Sequence, residues 1–150
     1  MRGMGKEDFN PAKILFQIGL MQVSFYASLA LCVISFDYFT EQPLVMDQFF
    51  NHKIISTASM LGLTTIVAFA ANSVAGAIAL SFVVGRARKC LDFTCTVFVI
   101  HWITCLLYSG EFPNTSAFWC LNITSLVFMV VLGEYLCMKN EMRDIPLLPR

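Results

Sequence analysis

Charge is what this sequence has least of. Of its 150 residues only 13% are charged, against about 25% in an ordinary soluble protein. The shortage is concentrated: Ile14–Phe36 runs 23 residues and Ile54–Gly85 runs 32 without an Asp, Glu, Lys or Arg, Lys53 standing just before the second run. A helix at a protein–water boundary needs a polar face, so a soluble globular chain is excluded. Cys-x-x-Cys is missing as well. The six cysteines (32, 90, 95, 105, 120 and 137) lie in or beside apolar runs. They suggest neither a disulfide framework nor a thioredoxin-like site, and read as small apolar residues. There is no Gly-rich phosphate loop, no metalloprotease motif and no nucleophile paired with a base. The expectation is a protein that is not an enzyme, with no metal, cofactor, nucleic-acid partner or small-molecule substrate.

What is present is hydrophobic: 57% of residues, with 14 Phe in the chain and a mean hydropathy of +0.70. The predicted fold is all-α, a polytopic membrane protein with four transmembrane helices in one bundle and a single domain over 1–150. The expected spans are 14–36, 60–84, 93–108 and 116–132. About 20 apolar helical residues cross a hydrocarbon core of about 30 Å. Asn10-Pro11 supplies an N-cap followed by proline at the first helical position. The first run is too long for the apolar part of a signal peptide. Between the first two spans, Leu44, Val45, Met46, Phe49 and Phe50 fall on one side of a short helix started by Pro43. That helix lies flat at the interface or packs on the bundle. In the second span Ala71, Ala75 and Ala79, and Ala68, Asn72 and Gly76, repeat every four residues. Small residues at that spacing let backbones approach closely in lipid, so this helix is expected to be the central packing element. Met1–Asn10 is polar, and Ile145-Pro146-Leu147-Leu148-Pro149 reads as an extended end.

Lys and Arg orient the bundle. Arg2, Lys6 and Lys13 precede the first span, Arg86, Arg88 and Lys89 sit between the second and third, and Lys139, Arg143 and Arg150 follow the fourth. Lys53 alone falls in the two remaining loops. The positive-inside rule then makes both termini and the central turn cytosolic.

The sites follow from that frame. Arg86, Arg88 and Lys89, with Asp92 beside them and Glu134 where the fourth span ends, form the expected partner-binding face. The basic cluster is also read as a topology signal or a site for anionic lipid headgroups. Within the membrane, His101, with Cys105 one turn on, is expected to be structural, hydrogen-bonded to a neighbouring helix through Gln17, Gln22 or Asn72. The alternative is a small transporter or channel with a polar path through His101, Gln22 and Asn72. Cys90 and Cys137 are placed for palmitoylation. Two glycosylation sequons, Asn114-Thr115-Ser116 and Asn122-Ile123-Thr124, lie at or inside the membrane and are expected to be unused.

Several blocks form a recognisable pattern. Near the start are Asn10-Pro11, Ile14-Leu15, Gln17-Ile18, Met21-Gln22 and Tyr26. From the basic turn onward come Cys90-Leu91-Asp92-Phe93-Thr94, Thr96-Val97, His101, Tyr108, Phe112-Pro113 and Trp119. Gly133-Glu134-Tyr135-Leu136-Cys137-Met138, Glu141 and Ile145-Pro146-Leu147 complete it. Together they resemble the Sys-one family of four-span Golgi membrane proteins, over about two thirds of the chain; Leu44–Gly85, Asp47-Gln48 apart, diverges. The resemblance implies a receptor on the trans-Golgi membrane for an Arf-like (Arf-related) GTPase with an acetylated N-terminus. That GTPase would promote recruitment of a second Arf-like GTPase and of GRIP-domain golgins, supporting vesicle traffic. Beyond that GTPase, the only expected partner is membrane lipid.

Overall fold

The computed structural model describes residues 10–143. The polar start, the extended end and the cations Arg2, Lys6 and Arg150 lie outside the described residues. The architecture is all-helical: α1 (Pro11–Thr40), α2 (Asp47–Phe50), α3 (Met60–Val83), α4 (Ala87–Ser109) and α5 (Ser116–Arg143). All but α2 are long and apolar enough to cross a membrane.

Helix boundaries follow local chemistry more than hydropathy. Asn10 caps α1, its side chain accepting from the backbone N–H of Ala12 and Lys13, with Pro11 leading the helix. α1 then runs through Asp37, which the sequence suggested as the start of a loop. Asp37 is buried, and Gln48 Nε2 donates to both its carboxylate oxygens at 3.0 and 2.9 Å. That contact lets an acidic residue stay inside the helix. α3 begins at Ser59, whose hydroxyl accepts from Gly62 N–H. α4 stops at Gly110, where φ is +65° and a residue without Cβ adopts the left-handed cap most readily. The short helix begins at Asp47, not Pro43. Phe49 and Phe50 turn inward, whereas Leu44 and Met46 are largely exposed. Packing on the bundle is therefore the better description of this segment.

α3 is the central packing element, as the small-residue spacing indicated: it packs on both α1 and α5. Ala68, Asn72 and Gly76 of its repeat are buried, together with Thr65, Ala77 and Leu80. α4 packs on α5 and α1, while α3 and α4 share little surface. Consecutive helices α3 and α4 thus stand diagonally across the bundle, joined by the short Val84–Arg86 turn. That turn crosses the end of the bundle instead of running along one edge.

Gln17 Nε2 donates to the carbonyl of Val83 at 2.8 Å, so the start of α1 meets the end of α3. The Cys90 and Cys137 sulfurs are 3.4 Å apart, so the start of α4 meets the end of α5. The outer ends of α1 and α5 therefore share one end of the bundle with the Arg86–Lys89 turn. The opposite end carries Asp37, Glu41, Asp47 and Glu111, and Lys53 Nζ pairs with Glu111 there at 2.7 Å.

Candidate functional site: the basic end and the buried histidine

Arg86 is the N-cap of α4 in extended conformation and its side chain makes no capping bond. Arg88 and Lys89 occupy the first turn behind it. Three cations thus gather at the positive end of a helix dipole, where negative charge is the favoured neighbour. Arg86 and Arg88 are exposed and Lys89 is half-buried. Asp92 follows one turn along on the exposed surface.

Between the starts of α1 and α4 lies a groove of about 180 Å³ lined by Ile14, Ile18, Lys89, Asp92, Phe93 and Thr96. Its floor is apolar and its polar groups come from one helix, α4. It is the size of a few apolar groups, with one cation and one carboxylate among its lining residues. Sequence reasoning assigned Lys89 and Asp92 to the partner-binding face, while Ile14, Ile18 and Phe93 entered among the residues that carry the family resemblance.

Glu134 is half-buried on α5, one turn before Cys137. α5 continues past the expected end of its span to Arg143, and its last turns stand beside the α3–α4 turn. Ser81 and Gly85 line a polar recess with Asn140, Glu141 and Arg143. Tyr135, Met138 and Met142 are exposed on this extension. Cys90 and Cys137, considered above for palmitoylation, are both fully buried with their sulfurs facing each other. They are withdrawn from the surface where an acyl chain would be attached.

The intramembrane polar residues separate into distinct sets. His101 is 0% exposed. Its bond comes from Tyr26, Oη to Nδ1 at 3.2 Å, and not from Gln17, Gln22 or Asn72. Its Nε2 lies 3.5 Å from Cys105 Sγ, and the Cys105 thiol in turn points to the Phe49 carbonyl at 4.0 Å. Both ring nitrogens are thus engaged, Nδ1 with the Tyr26 hydroxyl and Nε2 with the Cys105 thiol. The ring is enclosed by Phe25, Tyr26, Phe50 and Phe69, with centroid distances of 5.7, 5.9, 6.4 and 5.7 Å. A histidine so enclosed ties α1, α4 and α2 together. Gln17 reaches the end of α3, and Asn72 takes a hydrogen bond from Ser28 across α1 and α3. The Gln22 amide is buried beside the Tyr26 hydroxyl, without a hydrogen bond of good geometry. Of the sequons, Asn114 is exposed in the loop and Asn122 is buried inside α5.

Four apolar helices, a basic turn at one end and a buried hydrogen-bonded histidine define a polytopic integral membrane protein. Over residues 4–147 the chain matches the family described as "SYS1: Integral membrane protein S linking to the trans Golgi network". It is 42% identical over 137 residues to the "Protein SYS1 homolog" of Nematostella vectensis, covering 91% of this chain and 87% of that one. It is 37% identical over 139 residues to the "Protein SYS1 homolog" of Dictyostelium discoideum, covering 93% and 60% of the two chains. To "Protein SYS1" of Saccharomyces cerevisiae it is 26% identical over 140 residues, covering 93% and 68%. No solved structure matches. The chain belongs to the SYS1 family, as its Gly133–Met138 block and the other resembling residues led one to expect, and is an integral membrane protein of the trans-Golgi network.

Proposed function

We propose that this protein is the membrane receptor that holds an Arf-like (Arf-related) GTPase with an acetylated N-terminus on the trans-Golgi, without catalytic chemistry of its own. The partner is the one the family resemblance implies. The observation that carries the reading is the groove between α1 and α4, with Ile14, Ile18 and Phe93 inside and Lys89 and Asp92 among its lining.

The physical logic is two-fold anchoring. One weak membrane signal gives marginal, reversible attachment, and stable attachment takes two. An amphipathic N-terminal helix on the GTPase is one signal, and docking on this protein is the second. Acetylation removes the N-terminal charge. A charged amine is costly to bury unpaired, whereas an acetylated end enters an apolar groove. The basic turn then meets acidic groups on the GTPase, with Glu134 holding the cluster in register. Vesicle traffic and golgin targeting follow from the GTPase once it is retained.

Depleting the protein is expected to release the GTPase from the Golgi to the cytosol, and blocking N-terminal acetylation to do the same, both read by fractionation. A GTPase that stays on the Golgi after complete depletion would overturn the receptor reading. Replacing Arg86, Arg88 and Lys89 together by Gln is expected to weaken GTPase recruitment by about tenfold or more in correctly inserted protein, since each charge near the surface is worth about 1 kcal/mol. Unchanged recruitment would remove the basic turn from the docking face.

A further inference from the structure

Two thiols at the basic end are placed for chemistry that the receptor reading does not use. Cys90 lies in the first turns of α4 and Cys137 near the end of α5, 47 residues apart in sequence. Their sulfurs approach to 3.4 Å, and both residues are fully buried. Carbonyls flank the pair, Arg86 O at 3.5 Å from Cys90 Sγ and Leu80 O at 3.9 Å from Cys137 Sγ. Cys32, Cys95, Cys105 and Cys120 are also free thiols, but among the described residues none of them contacts another sulfur.

We propose that Cys90 and Cys137 form a reversible redox pair, oxidised by a peroxide to a disulfide that ties the start of α4 to the end of α5. A disulfide is about 2.05 Å long, so the sulfurs, now 3.4 Å apart, must close by roughly 1.4 Å. Rotation about the two side-chain bonds and a small shift of the helix ends cover that distance. In the first step one sulfur attacks a peroxide oxygen. The O–O bond breaks, sulfenic acid forms, and the displaced hydroxide takes the thiol proton and leaves as water. In the second step the other thiol attacks the sulfenic sulfur, and its proton leaves with the hydroxyl as a second water. One peroxide is reduced by two electrons and two thiols are oxidised. Exchange with a small uncharged dithiol such as dithiothreitol, which leaves as its own cyclic disulfide, reverses the change.

Placement decides what kind of pair this is. On the cytosolic side expected for the basic end, disulfides are rare at rest and, when present, are transient and redox-sensing. Burial excludes charged oxidants and bulky reagents but admits a small uncharged peroxide when the helix ends open locally. The bond would draw the first turns of α4 toward α5 and so away from α1. The groove that Lys89, Asp92 and Phe93 form with Ile14 and Ile18 lies on the side being vacated, so oxidation widens it whatever occupies it.

The test uses the full chain in lipid nanodiscs, titrated with hydrogen peroxide, quenched, alkylated with iodoacetamide and mapped by mass spectrometry. The expected result is a Cys90–Cys137 cross-linked peptide, lighter by two hydrogens than the two free peptides together. Dithiothreitol should abolish it, and so should either Cys90→Ser or Cys137→Ser. The wild-type map needs no variant, so a poorly folding substitution leaves the test intact. If Cys90 and Cys137, alkylated after denaturation, are both almost fully modified at a peroxide dose that converts an added water-soluble thiol completely to its disulfide, the proposal is wrong. A disulfide from either residue to a different cysteine overturns it equally.

Discussion

A hydrogen bond within a membrane contributes about 0.6 kcal/mol on average and at most about 1.7. The Tyr26–His101 bond is expected at the upper part of that range, because the ring is fully enclosed and its other nitrogen is also engaged. A double-mutant cycle of Tyr26→Phe and His101→Leu should give a coupling of about 1 kcal/mol in SDS unfolding. His101→Gln should keep more folded protein than His101→Leu, since an amide retains a donor and an acceptor for these partners. At the rim, the Lys53 ammonium beside Glu111 holds its carboxyl below the usual carboxylate range. A depressed folded pKa contributes stability that is complete above the unfolded value of about 4.3 and is lost as pH falls through the folded one. Wild type and Glu111→Gln should therefore differ slightly at pH 7 and converge below the carboxylate range. The same gap should close in about 1 M salt, because both groups are well exposed. A gap that persists at low pH would mean Glu111 acts through something other than its charge. Sequence alone marked His101 as structural but not its partner: Tyr26 lies 75 positions away and reads as one more aromatic in an apolar run. The Asp37–Gln48 contact was hidden for a similar reason, since an acidic residue after an apolar run normally signals the membrane boundary.

The helices were legible as elements because a run of about 20 or more uncharged, mostly apolar residues has the length a bilayer crossing demands. Their facing was not. In lipid the outward surface is as apolar as the core, so a helical period in hydrophobicity carries little contrast. Val67, Val74 and Ile78 look outward from α3, yet they are no less apolar than inward Ala68, Phe69 and Leu80. Only small residues betrayed the inner face of α3, and they make distinct demands. A Cβ on Gly62 would run into the backbone carbonyl of Ser56, and backbone cannot step aside. On Gly76 the obstacle is the Met129 side chain at 2.7 Å, which can. Gly76→Ala should cost about 1–3 kcal/mol as overpacking, a penalty that largely disappears when the same substitution is measured in a Met129→Ala background. Gly62→Ala should cost more and find no rescue in a neighbouring side chain. Both are read as SDS unfolding midpoints, and equal rescue at the two positions would contradict the packing described.

At the scale of the molecule, the start of α1 and the end of α5 share the side that carries the basic turn, and among the described residues Lys13, Arg86, Arg88, Lys89, Lys139 and Arg143 fall toward it while Lys53 does not. Tags at either terminus should therefore be open to protease in sealed microsomes. Protection of either tag would contradict an even number of crossings with the basic side outward. The diagonal of α3 and α4 was beyond reach of the sequence, because so short a turn ordinarily joins neighbours. It has a consequence for how the chain is made. Membrane helices insert and then assemble laterally, and synthesis delivers the N-terminal ones first. α1 and α3 are partners in the finished bundle and can pair as soon as both have left the translocon. α4 arrives next with no place beside α3, and until α5 emerges it has only a narrow seat against α1. A chain truncated near Asn114 and released would leave a histidine-bearing helix loosely attached in the bilayer, a species suited to capture by an insertion chaperone or to prompt degradation.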